Sequence, residues 1–239
     1  MENFNQSSPL LETEAQIEER SKKLVTSSFS WMALALTITA IAAFLFSSNP
    51  DLLGLLISDT GLSVFGWVIM FAPIGLVLLM SARLEKMSLN TLIACFVIYS
   101  AVNGISLFFI FLIYDLGSIF NVFLSTIALF GLFAAAGYFT KTDLTKLGSI
   151  LFIGLIGIMI ASLINIFMQS DSMGFIISIL GVIIFTGLTA YDVQKIKNMG
   201  YMVEEGSTFT KVAIMGALRL YLDFINLFLF LLRLFGGRK

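Results

Sequence analysis

Residues 218–237, LRLYLDFINLFLFLLRLFGG, are long and apolar enough to cross a bilayer, yet they include Arg219, Asp223, Asn226 and Arg233. Successive helical residues turn by about 100°, so positions 219, 223, 226, 230 and 233 share one face and their polar members form a stripe. A charge at bilayer depth costs about 3 kcal/mol on insertion scales. The stripe must therefore face protein or water, since lipid would leave it unsatisfied. The preceding apolar run places Thr189, Asp192 and Lys195 on a second polar face. Two carboxylates brought together at depth do not both ionise without a cation. Sharing one proton relieves the repulsion, and the two then titrate as one coupled unit. Their oxygens also suit calcium, a hard cation. Two carboxylates completed by Asn, carbonyl and water oxygens make a weak transit site rather than a tight store. The competing structural reading has Arg219 and Asp223, spaced i,i+4, neutralising one another and locking helix packing.

Composition narrows the chemistry further. The 239 residues contain no His, which removes Ser-His and Cys-His nucleophile pairs, His-ligated zinc or haem, and an imidazole pH switch. The one cysteine, Cys95, allows neither a disulfide framework nor a Cys-based metal site. A net charge of −1 and the lack of a basic cluster argue against a nucleic-acid partner. Hydrophobic residues make up 58% of the chain, against roughly 45–50% in soluble domains, and only 12% are charged. The natural solvent of such a chain is a lipid bilayer.

The elements that must position these groups follow from hydropathy. Residues 1–23 are polar and acidic and are expected to form a solvated tail, with a surface helix around Leu10–Ile17 as the alternative. They lack the basic start and apolar core of a cleaved signal peptide. Residues 24–239 read as a single domain of seven transmembrane helices, near 25–47, 62–82, 89–113, 117–139, 148–168, 173–194 and 211–235. Arg20, Lys22, Lys23, Arg83, Lys86, Lys141, Lys146, Lys195, Lys197 and Lys211 fall on one side of this layout. The opposite loops carry Asp51, Asp59, Asp115 and Asp171 without a Lys or Arg. The N-terminus is then cytoplasmic. Seven spans leave Arg233, Arg238 and Lys239 outside, against that rule. Full crossing of the last run is favoured over re-entry because its 25 residues make a complete span.

GLTAYDVQKIK (187–197) and ALRLYLDFINLF (217–228) closely resemble the signature region of the Bax inhibitor family. WMALALTITAIAAF (31–44) is similar to that family's first span, and residues 137–167 resemble its fourth-to-fifth span region. The resemblance implies an all-α integral membrane protein whose last helix is central and surrounded by the other six. It implies a bacterial inner-membrane location and a pH-sensitive calcium leak, with calcium as the permeant ion and no tightly bound cofactor. The aspartates of the gate match Asp192 and Asp223, which also form the weak calcium site. An arginine that latches the pair in the closed state matches Arg83 in LLMSARLEK, while Arg219 and Asn226 supply a secondary polar stripe. Arg219 is a departure from the family pattern.

Two other function classes compete. One is a membrane-embedded regulator that binds a protease, a channel or a stress or cell-death factor, using its acidic tail as the docking element. The other is an intramembrane aspartyl protease, since Tyr191-Asp192 followed by Asp223 mimics its paired aspartates. The second aspartate lacks that enzyme's Gly-x-Gly-Asp setting, and the three prolines, Pro9, Pro50 and Pro73, include no Pro-Ala-Leu. The chain is therefore expected not to be an enzyme. Asn103 and Asn165 read as residues that hydrogen-bond between helices, and Gly154, Gly157 and Gly181 as close-packing positions.

Overall fold

A computed structural model describes residues 13–58, 61–84 and 86–239. The first twelve residues, including the start of the expected surface helix at Leu10, and the loop acid Asp59 lie outside the described residues. Helix α1 (Glu14–Ser48) leads into α2 (Pro50–Leu56) and a two-residue hairpin, β1 (Ile57–Ser58) with β2 (Gly61–Leu62). Then follow α3 (Val64–Arg83), α4 (Leu89–Ser106), α5 (Phe109–Ile113), α6 (Leu116–Phe139), α7 (Thr145–Met168), α8 (Asp171–Gly200) and α9 (Ser207–Phe235). Among the described residues seven segments are long and apolar enough to span a membrane, with α4 and α5 together forming the third. The chain is an all-α integral membrane protein.

α9 is the most buried of the long helices, from Ala213 and Gly216 through Tyr221 and Asp223 to Leu231 and Leu232, as expected of a central helix, with Arg219 and Arg233 left exposed. Its principal partners are α1, α4, α6 and α8. α3 packs chiefly on α4 and α7 chiefly on α8, so these two form the outer part of the ring. α7 presents Ile150, Ile153 and Phe167 outward, the kind of apolar surface that lipid covers. Glycines set the close approaches: Gly104 lies against the Thr39 carbonyl of α1, and Gly137 of α6 against the backbone of Ala190 in α8. Gly181 carries the ring of Phe230 and Gly154 the side chain of Ile184, as close-packing positions should. Gly157 instead faces open space, so its assignment as a close-packing residue is corrected.

The polar segment before the first span is not wholly a solvated tail. Thr13 caps α1 through a reciprocal capping box with Gln16, and the helix runs unbroken from Glu14 into the membrane span. The physical reason is a second packing partner. Buried Arg20 donates through Nε to the Gly200 carbonyl at 3.1 Å and through Nη2 to the Tyr201 carbonyl at 3.4 Å. The Ser21 hydroxyl donates to the Lys197 carbonyl at 2.7 Å. These groups satisfy carbonyls that the end of α8 would otherwise leave open, with a cation at the negative end of that helix.

At the opposite end α9 runs unbroken to Phe235. The residues after it pair Arg238 with Tyr114. The Asp115 amide donates to the Gly237 carbonyl at 3.1 Å, and the Lys239 amide donates to the Ile113 carbonyl at 3.0 Å. The terminal cations thus sit beside the Asp115 loop despite the charge rule.

Candidate functional site

The helices α8 and α9 run antiparallel and bring the two aspartates to one level. Distance from the connecting loop does not put them there: Asp192 lies eight residues before the end of α8, and Asp223 sixteen after the start of α9. Tertiary packing absorbs that offset. The two carboxyl groups are close neighbours in the fold. Both residues are buried, Asp192 to 8% exposure and Asp223 to 5%. An ionised carboxylate has only acceptor oxygens, so two such groups hydrogen-bond to one another only when one holds a proton. Asp223 Oδ2 is fully buried and has no hydrogen-bond partner, which leaves an acceptor free for a proton, a water or a cation.

The guanidinium at the pair belongs to Arg219. Its Nη1 lies 3.7 Å from Asp192 Oδ1, and its side chain is 43% exposed. Lys195 contributes a further positive charge near Asp192, with its ammonium 3.3 Å from the Tyr191 hydroxyl. The Tyr191 ring lies on Gly148 of α7 rather than over the carboxylates. Among the described residues no group of three or more His, Cys, Asp or Glu side chains is placed to hold a metal ion. A divalent cation at this pair would complete its coordination with carbonyl or water oxygens.

Arg83 stands elsewhere. It is exposed in the last turn of α3, a helix that packs on α4 rather than on α8 or α9. The cation beside Asp192 in this structure is Arg219, and Arg83, expected there as the latch, is not placed against the pair. Nor is Arg219 simply matched with Asp223 along its own helix, because its salt bridge crosses to Asp192 on α8. Asn226 spends its amide on the Leu222 carbonyl one turn back, at 2.8 Å, and does not reach the carboxylates through a hydrogen bond. Asn103 does bond between helices, donating to the Tyr221 hydroxyl at 2.7 Å. Asn165 does not, since its Oδ1 accepts from the Ser170 amide at 3.2 Å and secures the turn between α7 and α8.

Several residues that hold the site went unassigned from sequence. Gln194 accepts from the Leu144 amide and donates to the Thr142 carbonyl, both at 2.8 Å, fastening the loop between α6 and α7 to α8. Lys197 donates to the Tyr138 carbonyl at 2.9 Å and lies over that ring, closing the end of α6. The signal was present in AYDVQKIK, where polar residues crowd a helix end, but their partners are some fifty to sixty residues distant. Two apolar cavities of about 300 and 290 Å³ open between α1 and α6. Neither is lined by Asp192 or Asp223.

A family model described as inhibitor of apoptosis-promoting Bax1 matches residues 21–239. The inner membrane protein YbhL of Escherichia coli is 38% identical over 241 residues, covering all of both chains. An uncharacterised protein of Borreliella burgdorferi is 44% identical over 91% of this chain and 93% of its own. An uncharacterised protein of Rickettsia prowazekii, RP147, is 40% identical over 93% of this chain and 92% of its own.

Proposed function

The chain belongs to the Bax inhibitor family, and on that premise we propose that it is a pH-sensitive, calcium-permeable leak pathway gated by Asp192 and Asp223. The observation that carries this reading is the burial of both aspartates in the fold, with an oxygen on Asp223 that has no hydrogen-bond donor and a half-exposed guanidinium beside Asp192. Proton, guanidinium and calcium compete for the same oxygens. With a shared proton and Arg219 in place, the pair is neutralised and α8 is held to α9. Loss of the proton leaves two negative charges whose repulsion is relieved either by separating the helices or by admitting a cation. A pair with so few protein ligands releases calcium readily, as transit requires.

Arg219 takes the latch role in this reading. Calcium and protons are the ligands, and no tightly bound cofactor takes part. The similarity to an Escherichia coli inner membrane protein supports the same location here, and the distribution of Lys and Arg supports a cytoplasmic N-terminus. The test is calcium uptake into liposomes holding purified protein between about pH 5 and 8, a window on either side of neutrality. Wild type takes up calcium in a pH-dependent manner, and Asp192→Asn and Asp223→Asn each lose that dependence. Absence of uptake above empty liposomes at every pH refutes the leak and moves the reading to a membrane-embedded regulator.

A further inference from the structure

Two residues before Asp223, on the other side of the helix, stands Tyr221. Side chains two apart in a helix point about 200° from one another, so Tyr221 faces away from α8. Its hydroxyl is fully buried, 2.7 Å from Thr39 Oγ1 of α1 and 2.7 Å from Asn103 Nδ2 of α4. The one proton of the Thr39 hydroxyl goes to the Ser100 carbonyl at 2.9 Å, so the tyrosine donates to Thr39 and accepts from Asn103. The tyrosine hydroxyl both donates and accepts at this hub, and each bond has a fixed direction. The Tyr221 ring also meets Tyr99 of α4 edge-on, with centroids 5.4 Å apart. One turn beyond Asn103, α4 breaks, and the Phe108, Ile110 and Phe111 amides bond three residues back instead of four.

We infer that Tyr221 is a positioning residue for the aspartate pair, fixing the rotation of α9 so that Asp223 meets Asp192. The inference rests on the function proposed above and adds a determinant on the opposite face of the helix. A rotation of α9 that carries Asp223 off Asp192 swings the tyrosine hydroxyl away from Thr39 and Asn103 and strands it in the core. The geometry at the front of the helix is therefore held from behind. The charged groups around the pair are few: Asp192 and Lys195 from α8, Arg219 and Asp223 from α9. The α4 and α6 helices carry no charged residue, and α1 carries none between Val25 and Ser48. Tyr99 of α4 is the titratable neighbour on the tyrosine's side.

The test has two arms, so that failure of the gate and failure of the positioning role are told apart. In the first, Asp192→Cys and Asp223→Cys are combined with Cys95→Ser, and the rate of oxidative cross-linking is compared with and without Tyr221→Phe. Loss of the hub slows cross-linking about fivefold, the effect expected from one net hydrogen bond. In the second, the pH profile of calcium uptake is measured with both aspartates present. Carboxyls held less closely share a proton less tightly, so Tyr221→Phe moves the midpoint toward acid by roughly half to one pH unit. Thr39→Val repeats both measurements by removing the acceptor and serves if Tyr221→Phe does not fold. An unchanged cross-linking rate in a folded variant overturns the inference. Slower cross-linking without calcium uptake by wild type leaves the positioning role standing and refutes the leak. A slower rate with an unshifted profile refutes the claim that this position sets the titration.

Discussion

Removing the guanidinium at the pair gives the sharpest test of how the site holds its charge. Arg219→Gln deletes a positive charge 3.7 Å from Asp192 Oδ1 and leaves a side chain of similar length. Two unit charges at about 4 Å attract by about 4 kcal/mol at an effective dielectric of 20, and by about 1 kcal/mol in bulk water. The arginine side chain is 43% exposed, which brings the value toward the lower end, about 1–2 kcal/mol after solvent screening. Since the guanidinium must yield before calcium takes the same oxygens, its loss raises apparent calcium affinity by about five- to thirtyfold. Arg219→Lys keeps the charge and stays within about threefold of wild type, the difference being loss of the planar fork. The assay is uptake into proteoliposomes against calcium concentration at fixed pH and ionic strength. Arg83→Gln is run alongside, and its exposed position predicts an affinity close to wild type. A wild-type affinity in Arg219→Gln with a rise in Arg83→Gln refutes the assignment and returns the latch to α3.

Other substitutions probe the frame around the site. Gly104→Ala drives a methyl group into the Thr39 carbonyl and costs about 1–3 kcal/mol, read as a lower unfolding temperature in detergent. Arg20→Met strips the carbonyls of Gly200 and Tyr201 of a buried donor, at a cost of about 1–3 kcal/mol. Faster hydrogen exchange confined to the end of α8 and the start of α1 is the expected signature, and unchanged exchange there refutes the strut. Lys23 and Glu205 form an exposed bridge of 2.6 Å between α1 and the loop before α9. The hydrogen bond and then the charge of Lys23 hold the Glu205 carboxyl below the usual glutamate range. A lowered carboxyl contributes above its unfolded value and loses that contribution as pH falls through the folded one. Protection of residues 201–206 against proteolysis therefore falls on moving to strongly acidic buffer in wild type, but not in Glu205→Gln.

Sequence by itself determined the solvent, the number of spans and the residues worth testing. Apolar runs of about 20 residues can be read locally because each span must satisfy its own backbone within the lipid. Asp192 and Asp223 stood out because charges in such runs are costly. Hydropathy was silent on the polar first turns of α1 and the last turns of α8, which extend past the apolar windows and are stabilised by contact with each other. Only the tertiary structure decided that Asp192 and Asp223 share a level, that Arg219 rather than Arg83 is the cation beside them, and that Tyr221 is tied to α1 and α4. Helical periodicity specifies which face of a helix a residue occupies. It does not specify which partner helix meets that face, or at what height. That choice is made by close approaches such as Gly104 on Thr39 and Gly137 on Ala190, between residues 65 and 53 positions apart, which set the offsets of the helices that carry the charges.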